Sequence, residues 1–89
     1  MTPERWEKLS KREQLLNIGA EFMRAKTWQG KDGEKFLLAL ERALELIDLS
    51  LANQKWKGNL LTLLRLRDEV AKFYFFQRTD DVYSLYRVL

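Results

Sequence analysis

The chain has 89 residues, of which 46% are hydrophobic and 33% charged, and it contains neither cysteine nor histidine. This balance is typical of a globular protein with one core, and the missing residue types exclude disulfides, thiolate–zinc sites, imidazole ligands and nucleophile–histidine pairs. The formal net charge of +3 permits an acidic partner without requiring one.

The sequence also lacks a phosphate-binding glycine loop, a dinucleotide fingerprint and a calcium loop of EF-hand spacing. We therefore expect a protein that is not an enzyme and that holds no cofactor and no metal. The longest purely apolar runs have four or five residues, far short of the roughly 20 that cross a bilayer. The first ten residues contain no apolar segment of a secretory signal, so a cytoplasmic location without membrane contact is the expectation.

Capping signals predict where the first two helices begin. Residues 2–4 supply an N-cap, a proline and an acid, which predicts a short helix that runs to about Leu9. Residues 10–13 form a capping box, so a second helix starts there and runs to about Trp28. The glycine at position 19 indicates close approach of a neighbouring helix. Helical spacing predicts that the buried face of the second helix contains Leu15, Ile18, Gly19, Phe22 and Met23.

A turn at residues 29–33 precedes the strongest helical pattern, which runs from Glu34 to about Ala52. Its main apolar stripe is broad, and two further leucines, Leu38 and Leu49, lie beyond the polar arc. This apolar surface is too wide for one partner helix. The stripe consists of Phe36, Leu40, Ala43, Ile47 and Leu51.

Residues 53–59 form the next predicted connection, and a third long helix follows from Leu60 to about Gln77, ending in an aromatic run at 73–76. Thr79 is predicted to cap a last short helix with acids in its first turn. Together these patterns predict a single all-α domain over residues 1–89, an antiparallel bundle of three long helices with short helices at both ends. The apolar residues of the last helix are Val82, Leu85, Tyr86 and Leu89.

The second helix carries a polar row opposite its predicted apolar face. Asn17, Glu21 and Arg24 follow one another at helical spacing, and Trp28 continues the row. The favoured interpretation is a solvated surface. The alternative is a polar contact strip that ends in an aromatic anchor, an arrangement that binding surfaces use.

Arg67 is the stronger candidate for a polar site, because it falls in the middle of the apolar face of the third long helix. An unpaired buried charge costs several kcal/mol, so this arginine needs a carboxylate partner or a route to solvent. Glu21 and Asp48 are candidate partners. Otherwise the guanidinium faces an interface or an anionic ligand.

A tryptophan between two lysines, at Lys55, Trp56 and Lys57, is the candidate nucleic-acid contact. The ring could stack on a base while the lysines hold phosphates. It could equally pack on the core with the lysines in solvent.

Three segments resemble a family of small uncharacterised prokaryotic proteins: residues 9–28, residues 43–49, and residues 63–69 followed by the aromatic residues 74–76. The resemblance covers about three quarters of the chain and leaves out both ends. It implies a helical domain and supplies no activity, cofactor or partner. The resemblance favours a specific role, rather than that of ordinary solvated surface residues, for Asn17, Glu21, Arg24 and Arg67.

The sequence therefore predicts a protein–protein interaction module that self-associates, with a dimer favoured and another protein as a further candidate partner. The helix that begins at Glu34 would supply the interface through Leu38, Arg42 and Leu49. The alternative is a small nucleic-acid-binding accessory protein that uses the lysine–tryptophan–lysine segment at 55–57, and its binding would weaken steeply as salt rises.

Overall fold

The computed structural model describes residues 1–75, 81–87 and 89, and these residues form helices and no strands. The all-α class is thus confirmed, and the predicted bounds of the first three helices and the predicted start at Leu60 agree with the structure to within two residues. The predicted position of Asp81 in the first turn of the last helix was wrong, because that helix begins only at Tyr83 and the Asp81 side chain accepts a hydrogen bond from Tyr83 N ahead of it. The end of the third long helix, the last aromatic residue of the run and the Thr79 cap lie outside those ranges. The helices are α1 (Pro3–Glu7), α2 (Lys11–Trp28), α3 (Gly33–Leu51), a 3₁₀ helix (Gln54–Asn59), α4 (Leu60–Phe75) and α5 (Tyr83–Arg87).

The N-terminal caps are the predicted ones. Thr2 Oγ1 accepts a hydrogen bond from Arg5 N at the start of α1. At the start of α2, Ser10 Oγ accepts from Glu13 N while Glu13 Oε1 accepts from Ser10 N, each at 3.1 Å. These bonds satisfy backbone N–H groups that have no partner within a helix. The bond from Ser10 N also holds the pKa of Glu13 below its usual value.

Helix α3 lies at the centre of the fold, because α2, α4, the 3₁₀ helix and α1 all pack against it. This position accounts for the breadth of its apolar surface. Helix α5 packs against α2 and α4. The buried core residues come from every α-helix: Trp6, Ile18, Phe22, Ala25, Ala39, Leu40, Ala43, Ile47, Leu66, Val70, Phe73, Val82 and Leu85.

The buried face of α2 is rotated from the predicted one. Leu15 is only half-buried and Met23 is exposed, so these two assignments were wrong. The rotation buries two polar residues, Gln14 and Glu21, because the positions of the neighbouring helices determine which side of α2 is buried. The buried residues of α2 are Gln14, Ile18, Gly19, Glu21, Phe22 and Ala25.

Gly19 lies where the C-terminal segment crosses α2. A Cβ atom at this position would lie 3.0 Å from Tyr86 Cε2 and 3.0 Å from Leu89 Cδ1, which is tighter than ordinary van der Waals contact. The glycine thus allows the close approach that the sequence indicated. The contact lets Val82 and Leu85 reach the core, where both are buried.

Buried side-chain hydrogen bonds connect α1 to α3 and α2, and connect α2 to the 3₁₀ helix. Trp6 Nε1 donates to Ser50 Oγ at 3.0 Å, and Trp6 O accepts from Gln14 Nε2 at 2.9 Å. Gln14 Oε1 in turn accepts from Trp56 Nε1 at 2.5 Å. The side chain of Gln14 therefore joins α1 to the 3₁₀ helix from a fully buried position on α2.

Asp81 anchors α5 and should make its docking sensitive to acid. Its Oδ1 accepts from Tyr83 N at 2.9 Å, and its Oδ2 lies 3.1 Å from Lys26 Nζ on α2. The Tyr83 N–H bond, followed by Lys26, lowers the pKa of Asp81 from its ordinary value of 3.8. Because the pKa is lowered, the stabilisation is present above the ordinary value and is lost as the pH falls through the lowered one.

We therefore expect α5 to loosen below about pH 3.8, before the remaining helices unfold. Amide hydrogen exchange or amide chemical shifts of Tyr83–Arg87, followed against pH, measure this step. An Asp81→Asn variant should remove the acid step from those signals. If the acid step persists in this variant, another group controls the docking of α5.

Candidate functional site

The polar row on α2 is not a uniformly solvated surface, because Glu21 is buried. Its side chain is only 8% exposed, whereas that of its ion-pair partner Arg24 is 58% exposed. The Arg24 guanidinium donates to Glu21 Oε1. Glu21 Oε2 is buried and has no hydrogen-bond partner among the described residues. The solvated-surface interpretation is therefore wrong for Glu21 and holds for Arg24.

Glu21 lines a cavity of about 240 Å³ between α2 and α3, referred to below as the Glu21 cavity. The cavity combines two sets that the sequence treated separately, since it contains Asn17 and Glu21 of the polar row together with Arg42 and Leu49 of the predicted interface. It also contains the carboxylate of Glu45, which belongs to neither set. Its lining residues are Met1, Asn17, Glu21, Arg42, Glu45, Leu46 and Leu49.

The chemistry of the Glu21 cavity suits binding of a positively charged donor. Two carboxylates, Glu21 and Glu45, line the cavity together with one arginine, Arg42, and the apolar side chains of Leu46 and Leu49. A buried oxygen without a donor costs about 1–3 kcal/mol, and more when the group is charged. A guanidinium or ammonium group that donated a hydrogen bond to Glu21 Oε2 would remove this free-energy penalty. Among the described residues, no group of three or more acids is placed to hold a metal ion.

The other members of the polar row are held by local contacts. Asn17 is exposed at the cavity edge, and its Nδ2 donates to Glu13 O at 2.8 Å. Trp28, the predicted aromatic anchor, is half-buried, and Lys35 Nζ lies 4.1 Å from its ring centroid. This cation–π contact joins the end of α2 to the start of α3.

Arg67 lies apart from the polar row and pairs with Asp48. Its Nε donates to Asp48 Oδ1 at 2.7 Å, and the two side chains are 42% and 53% exposed. The hydrogen bond and the attraction of Asp48 raise the pKa of Arg67. An ion pair this exposed contributes at most about 1 kcal/mol. The Asp48 alternative is thus confirmed, and the Glu21 alternative was wrong, since Glu21 pairs with Arg24.

The lysine–tryptophan–lysine segment has a structural role at two of its three residues. Trp56 is 5% exposed, so its ring is not available to stack on a base, and that interpretation is corrected. Lys55 Nζ donates to the backbone carbonyls of Glu7 and Leu9 at and just after the end of α1, so its ammonium group is already hydrogen-bonded. Lys57 is exposed. The nucleic-acid alternative remains a prediction that now rests on Lys57 and on basic residues elsewhere.

The predicted interface residues lie along one side of α3. Leu38 is 46% exposed, Arg42 is exposed, and Leu49 is half-buried because it also packs against the core. Glu45 is exposed and continues the same row. At about 100° per residue, these four side chains fall within about 60° of one another. We call this row the α3 stripe; the spacing of its members was visible in the sequence, although Glu45 was not assigned to the interface.

The sequence interpretation also missed the exposed apolar side chains on α4. Leu61, Leu64 and Phe75 are all more than half exposed, and they follow the outer face of this helix. Arg65 and Asp68 line a shallow crevice with the two leucines. This face is a second apolar surface, distinct from the α3 stripe.

Comparison of the chain with protein families, curated proteins and solved structures gave no match. The resemblance to small prokaryotic proteins accordingly stays a prediction. Within the described part of the chain, every helix is too short or too polar to cross a membrane.

Proposed function

We propose that this protein is an interaction module that forms a homodimer through the α3 stripe. The observation that carries the proposal is the order of side chains along the stripe, which is Leu38, Arg42, Glu45 and Leu49. Apolar residues stand at its ends and opposite charges stand at its centre.

This order is complementary to itself when two α3 helices pack antiparallel. With the two-fold axis between positions 43 and 44, Leu38 meets Leu49 of the partner subunit, and Arg42 meets Glu45 of the partner subunit. A two-fold interface pairs a surface patch with its own copy, so self-complementarity is the property that it requires. Opposite charges also fix the register and disfavour a parallel pairing, in which like charges would meet.

The dimer would extend the helical packing of each chain. Within one chain, the four residues between α2 and α3 form a short connection, which supports an antiparallel arrangement of these two helices. A second α3 would cover the exposed part of Leu38 and complete a layer of four helices, two from each subunit. Exposed leucines of this kind become stabilising once they are removed from water.

Light scattering of the purified protein tests the proposal through its mass in solution. We expect a dimer for the natural sequence and a monomer for Leu38→Glu, because the substitution places a charge opposite the partner's Leu49. Leu61→Glu is the matched control, since Leu61 is 62% exposed but lies on α4 outside the stripe. The control should remain a dimer.

Circular dichroism shows whether both variants remain folded. A monomeric natural protein at about 0.1 mM would contradict self-association, because a functional dimer of this type should have a Kd well below that concentration. Dissociation by Leu61→Glu, with Leu38→Glu still dimeric, would instead place the interface on α4.

A further inference from the structure

We propose that the Glu21 cavity is a binding site for the guanidinium group of the partner's Arg42. The inference rests on the proposed dimer and adds a specific contact to it: each subunit supplies an arginine to a carboxylate site that is incomplete in the single chain. The site then has two parts, a buried carboxylate from α2 and an exposed arginine from the second copy of α3.

Glu21 carries an unsatisfied hydrogen-bond acceptor. Glu21 is buried, yet its Oε2 receives no hydrogen bond from the described residues. Arg24 occupies only Oε1 and is itself largely exposed. Buried carboxylates are normally paired and fully hydrogen-bonded, so a further donor is expected at this oxygen.

In the proposed dimer, Arg42 is a suitable donor close to this acceptor. Arg42 lines the cavity but forms no ion pair within the described part of its own chain. In the antiparallel pairing, Arg42 of the partner subunit lies opposite Glu45, which lines the same cavity as Glu21. Packed helices have axes about 8–10 Å apart, a distance that an arginine side chain can cross.

The guanidinium group of arginine also matches the cavity in shape and charge. A planar guanidinium has five N–H donors and can bind two acceptors at once, so one arginine can bridge Glu45 and Glu21. Leu46 and Leu49 provide an apolar wall for the methylene stem of the arginine. An ammonium group lacks the planar fork, and we therefore expect Arg42→Lys to replace Arg42 poorly.

Complementary charge reversals test whether the contact joins two chains. In Glu21→Lys homodimers the new lysine faces the partner's Arg42, and in Arg42→Glu homodimers Glu21 faces a second carboxylate. Each variant alone should therefore be largely monomeric. An equimolar mixture should form a heterodimer, because the lysine introduced in one chain then meets the carboxylate introduced in the other, while the second cavity keeps its natural pair. Light scattering and native mass spectrometry measure the mixed species.

A milder pair of variants covers the case in which Glu21→Lys does not fold. Glu21→Gln keeps the shape of the side chain and removes its charge, and it should raise the dimer Kd by about tenfold or more. Glu41→Gln is the matched control, since Glu41 is an exposed acid of α3 that does not line the cavity. The control should leave the Kd unchanged. Sedimentation equilibrium gives both constants, and circular dichroism verifies folding.

The results of these experiments distinguish the contact in the Glu21 cavity from the formation of the dimer. A natural protein that is monomeric contradicts both proposals. A dimer whose Kd is the same for the natural chain and Glu21→Gln contradicts the cavity contact and leaves the α3 stripe as the interface. If the mixture stays monomeric while the double variant Glu21→Lys with Arg42→Glu dimerises, the arginine pairs within its own chain and the inference is wrong.

Discussion

Trp6→Ala should lower the free energy of unfolding by about 3–5 kcal/mol. Trp6 is buried in the core, although it belongs to a helix of only five residues. A helix that short is not stable alone, so α1 stays in place chiefly through this side chain. The substitution leaves a large cavity and removes the donor to Ser50 Oγ. Because small domains have only about 5–15 kcal/mol of stability, the loss would be a large part of the total.

Urea denaturation followed by circular dichroism measures the effect. Trp28→Ala is the matched control, because Trp28 is half-buried and sits at the end of α2 beside Lys35. We expect the control to cost under about 2 kcal/mol. Equal losses for the two variants would show that the burial of Trp6 does not hold α1 against the core.

Gln14→Leu should lower the free energy of unfolding by about 1–3 kcal/mol, although the new side chain is apolar and similar in size. The amide of Gln14 donates to Trp6 O and accepts from Trp56 Nε1. Leucine leaves Trp56 Nε1 buried without an acceptor, which costs about 1–3 kcal/mol. Trp6 O also loses a donor but keeps its bond from Leu9 N at 3.1 Å. The substitution should therefore lower the stability, whereas replacing a polar residue in a core by an apolar one usually raises it.

Two further variants isolate the hydrogen bond to Trp56. Gln54→Leu is the control, since Gln54 is an exposed glutamine of the 3₁₀ helix and should change stability by under about 0.5 kcal/mol. Trp56→Phe removes the indole donor, so a cycle with Gln14→Leu should show a less-than-additive loss. Additive losses, or a Gln14→Leu variant as stable as the natural protein, would mean that the amide does not carry this connection.

The helix bounds were predictable because the signals that set them are local. Ser10 and Glu13 satisfy backbone N–H groups within one turn, and Asp32 Oδ1 accepts from Lys35 N at the start of α3. Gly30 has a φ of 76°, a left-handed conformation that favours glycine, and it lies in the connection after α2. Such features act over three or four residues, so the sequence alone determined the all-α class and the order of the long helices.

The candidate site was predictable only in part. The spacing of Leu38, Arg42 and Leu49 placed them on one side of α3, and the structure retains that placement. The sequence predicts a solvated Glu21, because the apolar face that it predicts for α2 lies opposite to this residue. That face included Leu15 and Met23, which turn out to be half-buried and exposed, respectively.

The sequence by itself determined the helices, their caps and the side chains that share a face. Only the tertiary structure decided which faces are covered: it buried Gln14, Glu21 and Trp56, and it brought α2 and α3 together around the Glu21 cavity. The physical reason is the range of the interactions. A capping bond joins residues three apart, whereas the bond from Trp56 to Gln14 joins residues 42 apart and forms only after the helices have packed.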